Sequence, residues 1–334
     1  MRLAADDITR RGFSCQNRAV DDGFFKILGS LDERDGKTIE ELAFASGEAP
    51  SVIKAMLDEK SKWFEESFGR LKRTEAGSVA YDYELRGRTP RPIDEELVDA
   101  YQRYARRRGP ARSELDQVYA TAESALDRAR LLIERGETQR GLCLLGDDDL
   151  TSLALGLLGV TRKVSVLEID EALVSLLRDS ARELELERSI EPFDLREPIP
   201  RALRGKFGAV FTDPPYALEG FTLFIQRAHD LLRPDGRLIV SFGQSRRAAE
   251  RGVQKQAALI EAGFFIEEAL PSHTRYEGAV SIGARSSLYF CRKTPLRRRA
   301  LEDRLGGDLY SSRSPKKAPR KDQAKGEQKT EGGR

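Results

Sequence analysis

The length, composition and charge of the chain exclude several classes of protein. Its 334 residues are enough for two domains, and 39% of them are apolar, which is enough to build hydrophobic cores. The 57 basic and 55 acidic residues give a net charge of only +2, so the overall charge does not indicate nucleic-acid binding. Two histidines and three widely separated cysteines make no metal-ligand pattern, so no metal site is expected.

The chain shows no sign of a membrane or secretory destination. Its N-terminus is charged and lacks the apolar core of a signal peptide, and no apolar run is long enough to cross a bilayer. The separated cysteines fit a reducing compartment. We therefore expect a cytoplasmic protein that makes no membrane contact.

Residues 1–83 are predicted to form a winged-helix-like N-terminal domain. Residues 1–20 are polar and expected to be poorly ordered, and an amphipathic helix follows them. Thr38 and Glu41 have the spacing of a capping box at the start of a second helix, and Pro50 marks the first turn of a third. A short hairpin completes the pattern. The third helix carries few basic residues, so we favour subunit contacts or coverage of the active site over DNA reading.

The rest of the chain divides into three segments. Residues 84–112 are rich in arginine and proline and are predicted to be an ordered linker, with an exposed helix over residues 94–106. Residues 113–293 carry the strand and helix patterns of a catalytic domain. Residues 294–334 contain mostly charged residues, Ser, Gly, Pro and Gln, which predicts a disordered basic tail.

The catalytic segment begins with the pattern of a Rossmann-like, doubly wound α/β fold. The apolar run from Leu142 to Leu145 has the length of a buried strand, a helix is predicted to end near Leu158, and a second buried strand ends in Glu168. Ligands of such folds bind beyond the carboxyl ends of the strands. An acid at the end of the second strand is where such folds hold a ribose diol, so Glu168 is a predicted nucleoside ligand.

The turn after the first strand is unusual for a nucleotide site. A dinucleotide site places glycines there, because backbone N–H groups must approach a pyrophosphate, whereas here Gly146 is followed by Asp147, Asp148 and Asp149. Three carboxylates repel a phosphate and attract a cation, which predicts a nucleoside with a positive tail, such as a sulfonium nucleoside. The alternative is that Asp148 or Asp149 only caps the following helix.

Two further acids follow the third and fourth predicted strands. Asp194, followed by Leu195, lies where an acid of sulfonium-nucleoside folds accepts a hydrogen bond from the adenine amino group. The alternative is that Asp194 is an ordinary turn aspartate. An Asp-Pro-Pro-Tyr motif runs from Asp213 to Tyr216 and directs Asp213 and the Pro214 carbonyl into the site, while Tyr216 supplies an aromatic wall. This arrangement suits an amine. Exocyclic-amine methyltransferases of DNA and RNA use nearly the same four residues, so the motif leaves the reaction open.

The acidic turn distinguishes between two sulfonium donors. S-adenosylmethionine carries a carboxylate beside its amine, and each contact of that group with an acid at about 4 Å costs on the order of 4 kcal/mol near a protein surface. Decarboxylated S-adenosylmethionine has lost this group and ends in an ammonium. The turn therefore favours the decarboxylated donor, which transfers an aminopropyl group rather than a methyl group.

The sequence resembles the branched-chain polyamine synthases, the N4-bis(aminopropyl)spermidine synthases, over residues 21–292. The similarity is densest in five motifs: Leu115-Asp-Gln117, Gly146-Asp-Asp-Asp-Leu-Thr-Ser-Leu153, Leu167-Glu-Ile-Asp170, Asp194-Leu-Arg196 and Asp213-Pro-Pro-Tyr216. The resemblance implies a winged-helix-like domain before a Rossmann-like catalytic domain, and a homodimer. It also implies transfer of two aminopropyl groups from decarboxylated S-adenosylmethionine to the central nitrogen of spermidine, with release of 5′-methylthioadenosine and without a prosthetic group.

The resemblance and the residue chemistry together assign roles to the predicted site. Asp149 and Asp213 are the expected proton acceptors, assisted by Asp148. The residues expected to bind the donor are Gly146, Asp147, Glu168, Asp194 and Leu195. The residues expected to bind the acceptor are Asp148, Asp149, Asp213, Pro214 and Tyr216. For His273, Tyr276 and Glu277 an ordinary surface loop is favoured over a place on the acceptor side.

Two other functions remain open at this level. A methyltransferase that uses S-adenosylmethionine on an exocyclic amine of nucleic acid would share the Asp-Pro-Pro-Tyr motif, but it predicts a glycine-rich first turn, and nucleic acid is not the expected partner. A non-enzymatic winged-helix regulator that senses a nucleoside or polyamine would leave that motif without a role. The aminopropyltransferase is the favoured interpretation.

Overall fold

The computed structural model describes residues 22–31, 35–243, 249–278 and 284–296. The predictions for residues 1–20 and for the basic tail beyond residue 296 lie outside the described residues. The predicted domain boundaries are not tested by the elements alone and stay predictions.

The N-terminal part contains the helices and the hairpin that the sequence predicts. Thr38 forms the capping box with Glu41 and begins the second helix, which ends at Gly47 in the left-handed conformation that glycine tolerates. A core cluster that includes Ile27, Leu42 and Ile53 packs these elements together. The elements are α1 (Asp22–Ser30), α2 (Ile39–Ser46), α3 (Pro50–Glu59), β1 (Phe64–Ser67), β2 (Arg70–Arg73) and α4 (Glu75–Gly87).

The helix predicted to be exposed over residues 94–106 is buried on one face. It forms α5 (Glu95–Ala105), and Leu97 and Tyr101 are 3% and 1% exposed in the main core. The prediction of an exposed helix was wrong because these two residues are four positions apart and so lie on the same side of the helix. Tyr101 also donates a hydrogen bond of 2.6 Å to the backbone carbonyl of Asp149. This helix therefore supports the acidic turn.

A seven-stranded sheet forms the centre of the remaining chain, with strand order β5-β4-β3-β6-β7-β9-β8. The first five of these strands are parallel, and β9 and β8 are antiparallel additions at one edge. Two buried clusters cover its faces, one built with α5 to α8 and the other with α9 and α10. The elements are α6 (Ala122–Glu134), β3 (Leu142–Leu145), α7 (Thr151–Leu157), β4 (Val164–Glu168), α8 (Glu171–Glu183), β5 (Arg188–Pro192), β6 (Phe207–Thr212), α9 (Leu218–Leu231), β7 (Leu232–Phe242), α10 (Ala249–Glu261), β8 (Phe264–Arg275) and β9 (Arg285–Lys293).

The register of the central strands brings the predicted site residues to one end of the sheet. Leu145 pairs with Leu167 on one side and with Thr212 on the other. The residues that follow these three positions, Gly146, Glu168 and Asp213, therefore lie side by side. The strand order reverses between β3 and β6, which is where doubly wound sheets bind their ligands. This confirms the predicted Rossmann-like α/β fold. Within the described ranges, no helix is long and apolar enough to span a bilayer.

Candidate active site

A cavity with about 630 Å³ of empty volume lies at the carboxyl ends of β3 to β6. All of its charged lining residues are acids, and most of the others are apolar. None of the described residues that line it is a lysine or an arginine. The lining consists of Leu115, Asp116, Gln117, Gly146, Asp148, Leu167, Glu168, Ile169, Phe193, Asp194, Leu195, Asp213, Pro215 and Phe224.

Only the middle acid of the predicted turn lines this cavity. Asp148 is half-buried, and its carboxylate lies near those of Asp149, Asp213 and Glu168. Burial and these negative neighbours hold the pKa of Asp148 well above its ordinary range. A cation bound beside Asp148 would favour its charged form. The arrangement is thus suited to a positively charged ligand.

Asp147 points away from the cavity and caps the first turn of α7. Its carboxylate accepts hydrogen bonds from the backbone N–H of Ser152 at 3.2 and 3.3 Å, and the residue is 3% exposed. Burial raises the pKa of Asp147 to about 7. The capping role that the sequence offered to Asp148 or Asp149 is therefore filled by Asp147. Asp147 was predicted to bind the donor, but its carboxylate does not line the cavity. Its backbone N–H donates to Glu168 Oε2 at 2.8 Å and so helps to position that residue.

The carboxylate of Asp149 is bound by the protein itself. Its Oδ2 lies 2.6 Å from Arg128 Nη2, and its Oδ1 accepts a hydrogen bond of 2.6 Å from the backbone N–H of Ala120. Arg108 Nη1 lies 4.0 Å from Oδ1. Asp149 is 3% exposed and does not line the cavity. Its surroundings do not support the predicted role of Asp149 as a proton acceptor.

Asp213 lines the cavity, and Arg128 and Tyr276 fix the position of its carboxylate. Arg128 Nη1 lies 3.4 Å from Asp213 Oδ2, and the hydroxyl of Tyr276 donates a hydrogen bond of 2.6 Å to the same oxygen. Burial raises the pKa of Asp213 to about 6, which Arg128 and Tyr276 partly oppose. Of the two prolines in the motif, Pro215 rather than the predicted Pro214 lines the cavity. The Tyr216 N–H donates to Asp116 Oδ2 at 3.3 Å, so Asp116 fixes the end of the motif.

Gly146 and Glu168 form the predicted ribose side of the cavity. Glu168 accepts hydrogen bonds from the backbone N–H groups of Asp147 at 2.8 Å and Asp170 at 2.9 Å, one on each carboxylate oxygen. Each oxygen keeps a second lone pair that a hydroxyl can use. Gly146 has a φ of 74°, which favours glycine, and a Cβ added there would lie 4.0 Å from Glu168 Oε2. Burial raises the pKa of Glu168.

Asp194 and Leu195 lie on the adjacent wall of the cavity, as the nucleoside prediction requires. Asp194 Oδ2 accepts a hydrogen bond of 2.6 Å from Arg196 Nη2, and Oδ1 accepts one of 2.9 Å from the Arg196 backbone N–H. Arg196 Nε also donates to both oxygens, at 2.9 Å to Oδ1 and 2.8 Å to Oδ2, so Arg196 fixes the direction of the carboxylate. Phe193 and Phe224 also line the cavity and provide flat apolar surface for a purine.

Arg128 and Tyr276 contact acids of the site, although neither was predicted to do so. Arg128 lies on α6 between the buried residues Ala125 and Leu132, at the spacing of the apolar face, and a charged residue on such a face is a signal that it binds an acid in the interior. Tyr276, expected in an ordinary surface loop, instead contacts Asp213. His273 Nε2 lies 2.9 Å from Asp127.

The strand order and the cavity at the reversal point define a Rossmann-like fold with a site where such folds bind their ligands. The chain belongs to the branched-chain polyamine synthase family, because residues 96–318 match the model described as the branched-chain polyamine synthase A C-terminal domain. This match begins in α5 and includes every strand of the large sheet.

Several relatives support this assignment. An N(4)-bis(aminopropyl)spermidine synthase of Thermococcus kodakarensis is 34% identical over 187 residues, which are 54% of this chain and 53% of the relative. The Thermus thermophilus protein of the same name is 34% identical over 154 residues, or 46% of this chain and 45% of the relative. An uncharacterized protein of Methanocaldococcus jannaschii is 30% identical over 67% of this chain and 57% of its own length. This chain spans about half the length of these curated relatives.

A solved structure shares the fold. It is the branched-chain polyamine synthase of Thermus thermophilus in complex with N4-aminopropylspermidine and 5′-methylthioadenosine. It is 24% identical to this chain, with a TM-score of 0.57, and the match covers 86% of this chain and 92% of the solved chain. The likeness confirms the Rossmann-like architecture.

Proposed function

We propose that this protein is an aminopropyltransferase that uses decarboxylated S-adenosylmethionine to modify the central nitrogen of spermidine. The products are N4-aminopropylspermidine, N4-bis(aminopropyl)spermidine and 5′-methylthioadenosine. Family membership supports this proposal, as do the names of relatives at 34% identity. The solved Thermus thermophilus relative, which holds an aminopropylated spermidine and methylthioadenosine, is consistent with it.

The observation that carries the proposal is the concentration of acids in one cavity. Asp148, Glu168, Asp194 and Asp213 all line it, and no basic side chain of the described residues does. A donor with a carboxylate tail would meet Asp148, at a cost on the order of 4 kcal/mol for a contact at about 4 Å and an effective dielectric constant of about 20. A donor and an acceptor that are both polycations gain from the same charges.

The donor binds with its nucleoside between β4 and β5. Glu168 accepts hydrogen bonds from the ribose hydroxyls, and Asp194 accepts one from the adenine amino group. The apolar side chains of Leu195 and Phe224 cover the base. The sulfonium and its aminopropyl arm then extend past Gly146 toward Asp148, which both line the cavity.

The acceptor amine attacks the aminopropyl carbon bonded to sulfur. A new C–N bond forms while the C–S bond breaks, and its electron pair stays on sulfur, so methylthioadenosine leaves as a neutral thioether. The secondary amine loses its proton, and Asp148 accepts it. Asp213 binds the amine and positions it for attack, and Tyr216, which does not itself line the cavity, supports the end of the motif. Asp149 acts through Arg128 and the turn backbone rather than on the amine.

The second transfer differs from the first in its proton balance. The tertiary amine that the first transfer produces has no proton to lose, and its attack yields a quaternary ammonium. Positioning and negative charge near the nitrogen therefore matter more than base strength in this step. The acids of the cavity stabilise the added positive charge.

The remaining expectations extend this proposal to the whole chain. A cytoplasmic location and a homodimer fit an enzyme of polyamine synthesis. We also propose that the helices and hairpin of residues 1–83 act as a winged-helix-like domain that contributes to subunit contacts or covers the cavity.

A paired incubation tests the proposed function. Purified protein is mixed with spermidine and either S-adenosylmethionine or its decarboxylated form, and the products are identified by mass spectrometry. Methylthioadenosine and aminopropylated spermidine from the decarboxylated donor alone are the expected result. Adenosylhomocysteine from the carboxylated donor would overturn the proposal and point to methylation of a nucleic-acid amine, whereas no turnover with either donor would favour a sensor.

A further inference from the structure

A buried lysine occupies an aromatic box beside the acceptor side of the cavity. Lys255 lies on α10 and is 6% exposed. Its Nζ is 5.1 Å from the ring centroid of Phe221, 5.8 Å from that of Phe242 and 6.0 Å from that of Tyr216. An ammonium surrounded by aromatic faces at these distances is a cation–π arrangement. The box thus already binds an ammonium group, and that group belongs to the protein.

The box adjoins the residues that we assign to the acceptor. Tyr216 is the last residue of the Asp-Pro-Pro-Tyr motif, three positions from Asp213. The charged groups that act on Lys255 are Asp213 and Asp116, which favour its ammonium form, and Arg251, which opposes it. Burial is the largest influence and lowers the pKa of Lys255 to about 8. No carboxylate of the described residues forms a salt bridge with Nζ, whereas three aromatic rings lie within 6.0 Å of it.

The chemistry of the lysine side chain matches the group that the proposed reaction transfers. Beyond Cβ, lysine consists of three methylene groups and a terminal ammonium, which together make an aminopropyl group. A lysine in this box therefore fills the volume that one aminopropyl arm of a polyamine would fill. Because Asp213 acts electrostatically on Lys255 and Tyr216 belongs to the same motif as Asp213, removal of this side chain would leave an aminopropyl-sized space beside the motif.

We propose that Lys255 is a specificity-determining residue that occupies an aminopropyl subsite and so limits the length of acceptor the enzyme accepts. This inference rests on the proposed function, because it assumes a polyamine bound at Asp213. Its consequence is that removal of the side chain beyond Cβ extends the acceptor site by one aminopropyl unit.

Truncation of Lys255 tests the proposal. Initial rates are measured with spermidine and with a linear tetraamine that is longer by one aminopropyl group, for the wild type and for Lys255→Ala. The expected result is that the ratio of kcat/KM for the tetraamine to that for spermidine rises about tenfold or more in the variant, as is typical when a pocket gains room for a few methylene groups. An unchanged ratio would overturn the proposal.

Two matched variants distinguish the effect of filling the aromatic box from the effect of the lysine charge and from a general loss of structure. Lys255→Met keeps the box filled without a charge and is expected to leave the ratio near the wild-type value; a rise equal to that of Lys255→Ala would overturn the occupancy argument. Arg251→Ala removes an exposed cation from the same helix and is expected to change nothing. Thermal unfolding checks that each variant is folded, and Lys255→Ser serves as the truncation if Lys255→Ala is not.

Addition of a small amine provides an independent readout. Propylammonium is the part of the side chain that Lys255→Ala removes, so it should occupy the emptied box and return the acceptor ratio toward the wild-type value, without effect on the ratio in Lys255→Met. Failure of propylammonium to change the ratio in a variant that has gained tetraamine activity would contradict the subsite. If the wild type itself produces no methylthioadenosine with any polyamine, the proposed function fails first. Turnover by the wild type with no change in Lys255→Ala overturns only the role of Lys255.

Discussion

Arg128 and Asp149 form an ion pair in the interior, with 2.6 Å between Arg128 Nη2 and Asp149 Oδ2 and side chains that are 0% and 4% exposed. The same guanidinium reaches Asp213 with its other terminal nitrogen and lies over the ring of Phe211. One residue of α6 thus connects the turn after β3 with the motif after β6. The pair neutralises Asp149 and leaves Asp148 as the turn acid that faces the cavity.

Breaking this pair is expected to destabilise the protein. Arg128→Met leaves Asp149 buried without its closest cation, which costs about 3–5 kcal/mol of the free energy of unfolding. Urea unfolding measures the loss. The double variant Arg128→Met, Asp149→Asn removes the unpaired charge and should regain a substantial part of the lost stability. Additive losses in the double variant would show that the two residues are not coupled.

Asp148→Asn is expected to lower kcat for the first aminopropyl transfer by about 10²–10⁴-fold, because it removes the proposed proton acceptor. The second transfer, measured with N4-aminopropylspermidine as the acceptor, should be reduced less, since its nucleophile has no proton to lose. Rapid quench and mass spectrometry separate the two steps. Equal losses in both steps would indicate that Asp148 acts only through its charge.

The different surroundings of Asp148 and Asp149 could not be predicted from the sequence. Hydrophobic periodicity predicted the strands and the helix around the turn, and Glu168, Asp194 and Asp213 at the predicted strand ends line the cavity. Three consecutive aspartates look alike in sequence, however. Which of them faces the ligand depends on the turn geometry, including Leu150 at a φ of 50°, and on partners such as Arg128 that lie far away in the chain.

The prediction that α5 is exposed was wrong for a related reason. Many charged residues in a helix favour the prediction of an exposed linker. Leu97 and Tyr101 nevertheless lie on one face of α5, and their burial is enough to pack the helix against the main core. Which surface receives that face is a tertiary property. The contact of Tyr101 with the Asp149 carbonyl could not be predicted from either segment by itself.

The stability of the wild type should depend on pH through Asp147. Burial raises its pKa in the folded protein to about 7 from an ordinary value of 3.8, so the folded state binds the proton more tightly than the unfolded state. The contribution of this proton is complete below the ordinary pKa and is lost as the pH rises to about 7. The difference in free energy of unfolding between the wild type and Asp147→Asn should fall across this window, by at most about 1.4 kcal/mol per pH unit. A flat difference from urea unfolding at several pH values would contradict the prediction.

Tyr276→Phe should change the pH dependence of acceptor use. The Tyr276 hydroxyl donates to the charged form of Asp213 and lowers its pKa, so removing the hydroxyl raises the pKa of Asp213 further above its ordinary range. The acidic limb of kcat/KM for spermidine is expected to move to higher pH. The KM for the donor should stay unchanged, because the Tyr276 hydroxyl contacts Asp213 rather than a residue assigned to the nucleoside. A loss of rate without a shift of the limb would indicate a purely structural role.

Glu168→Gln should weaken nucleoside binding while leaving the acceptor site intact. The carboxylate accepts two backbone N–H groups and still offers two lone pairs to the ribose, whereas a glutamine amide replaces one accepting oxygen with a donor. Hydrogen bonds to a charged group contribute about 1.5–3 kcal/mol each, so the Kd for methylthioadenosine is expected to rise about 10–100-fold. Calorimetry with methylthioadenosine measures this directly, without turnover. Asp213→Asn is the matched control, since it changes a cavity acid that the nucleoside does not contact, and equal weakening in both variants would contradict the assignment of Glu168 to the ribose.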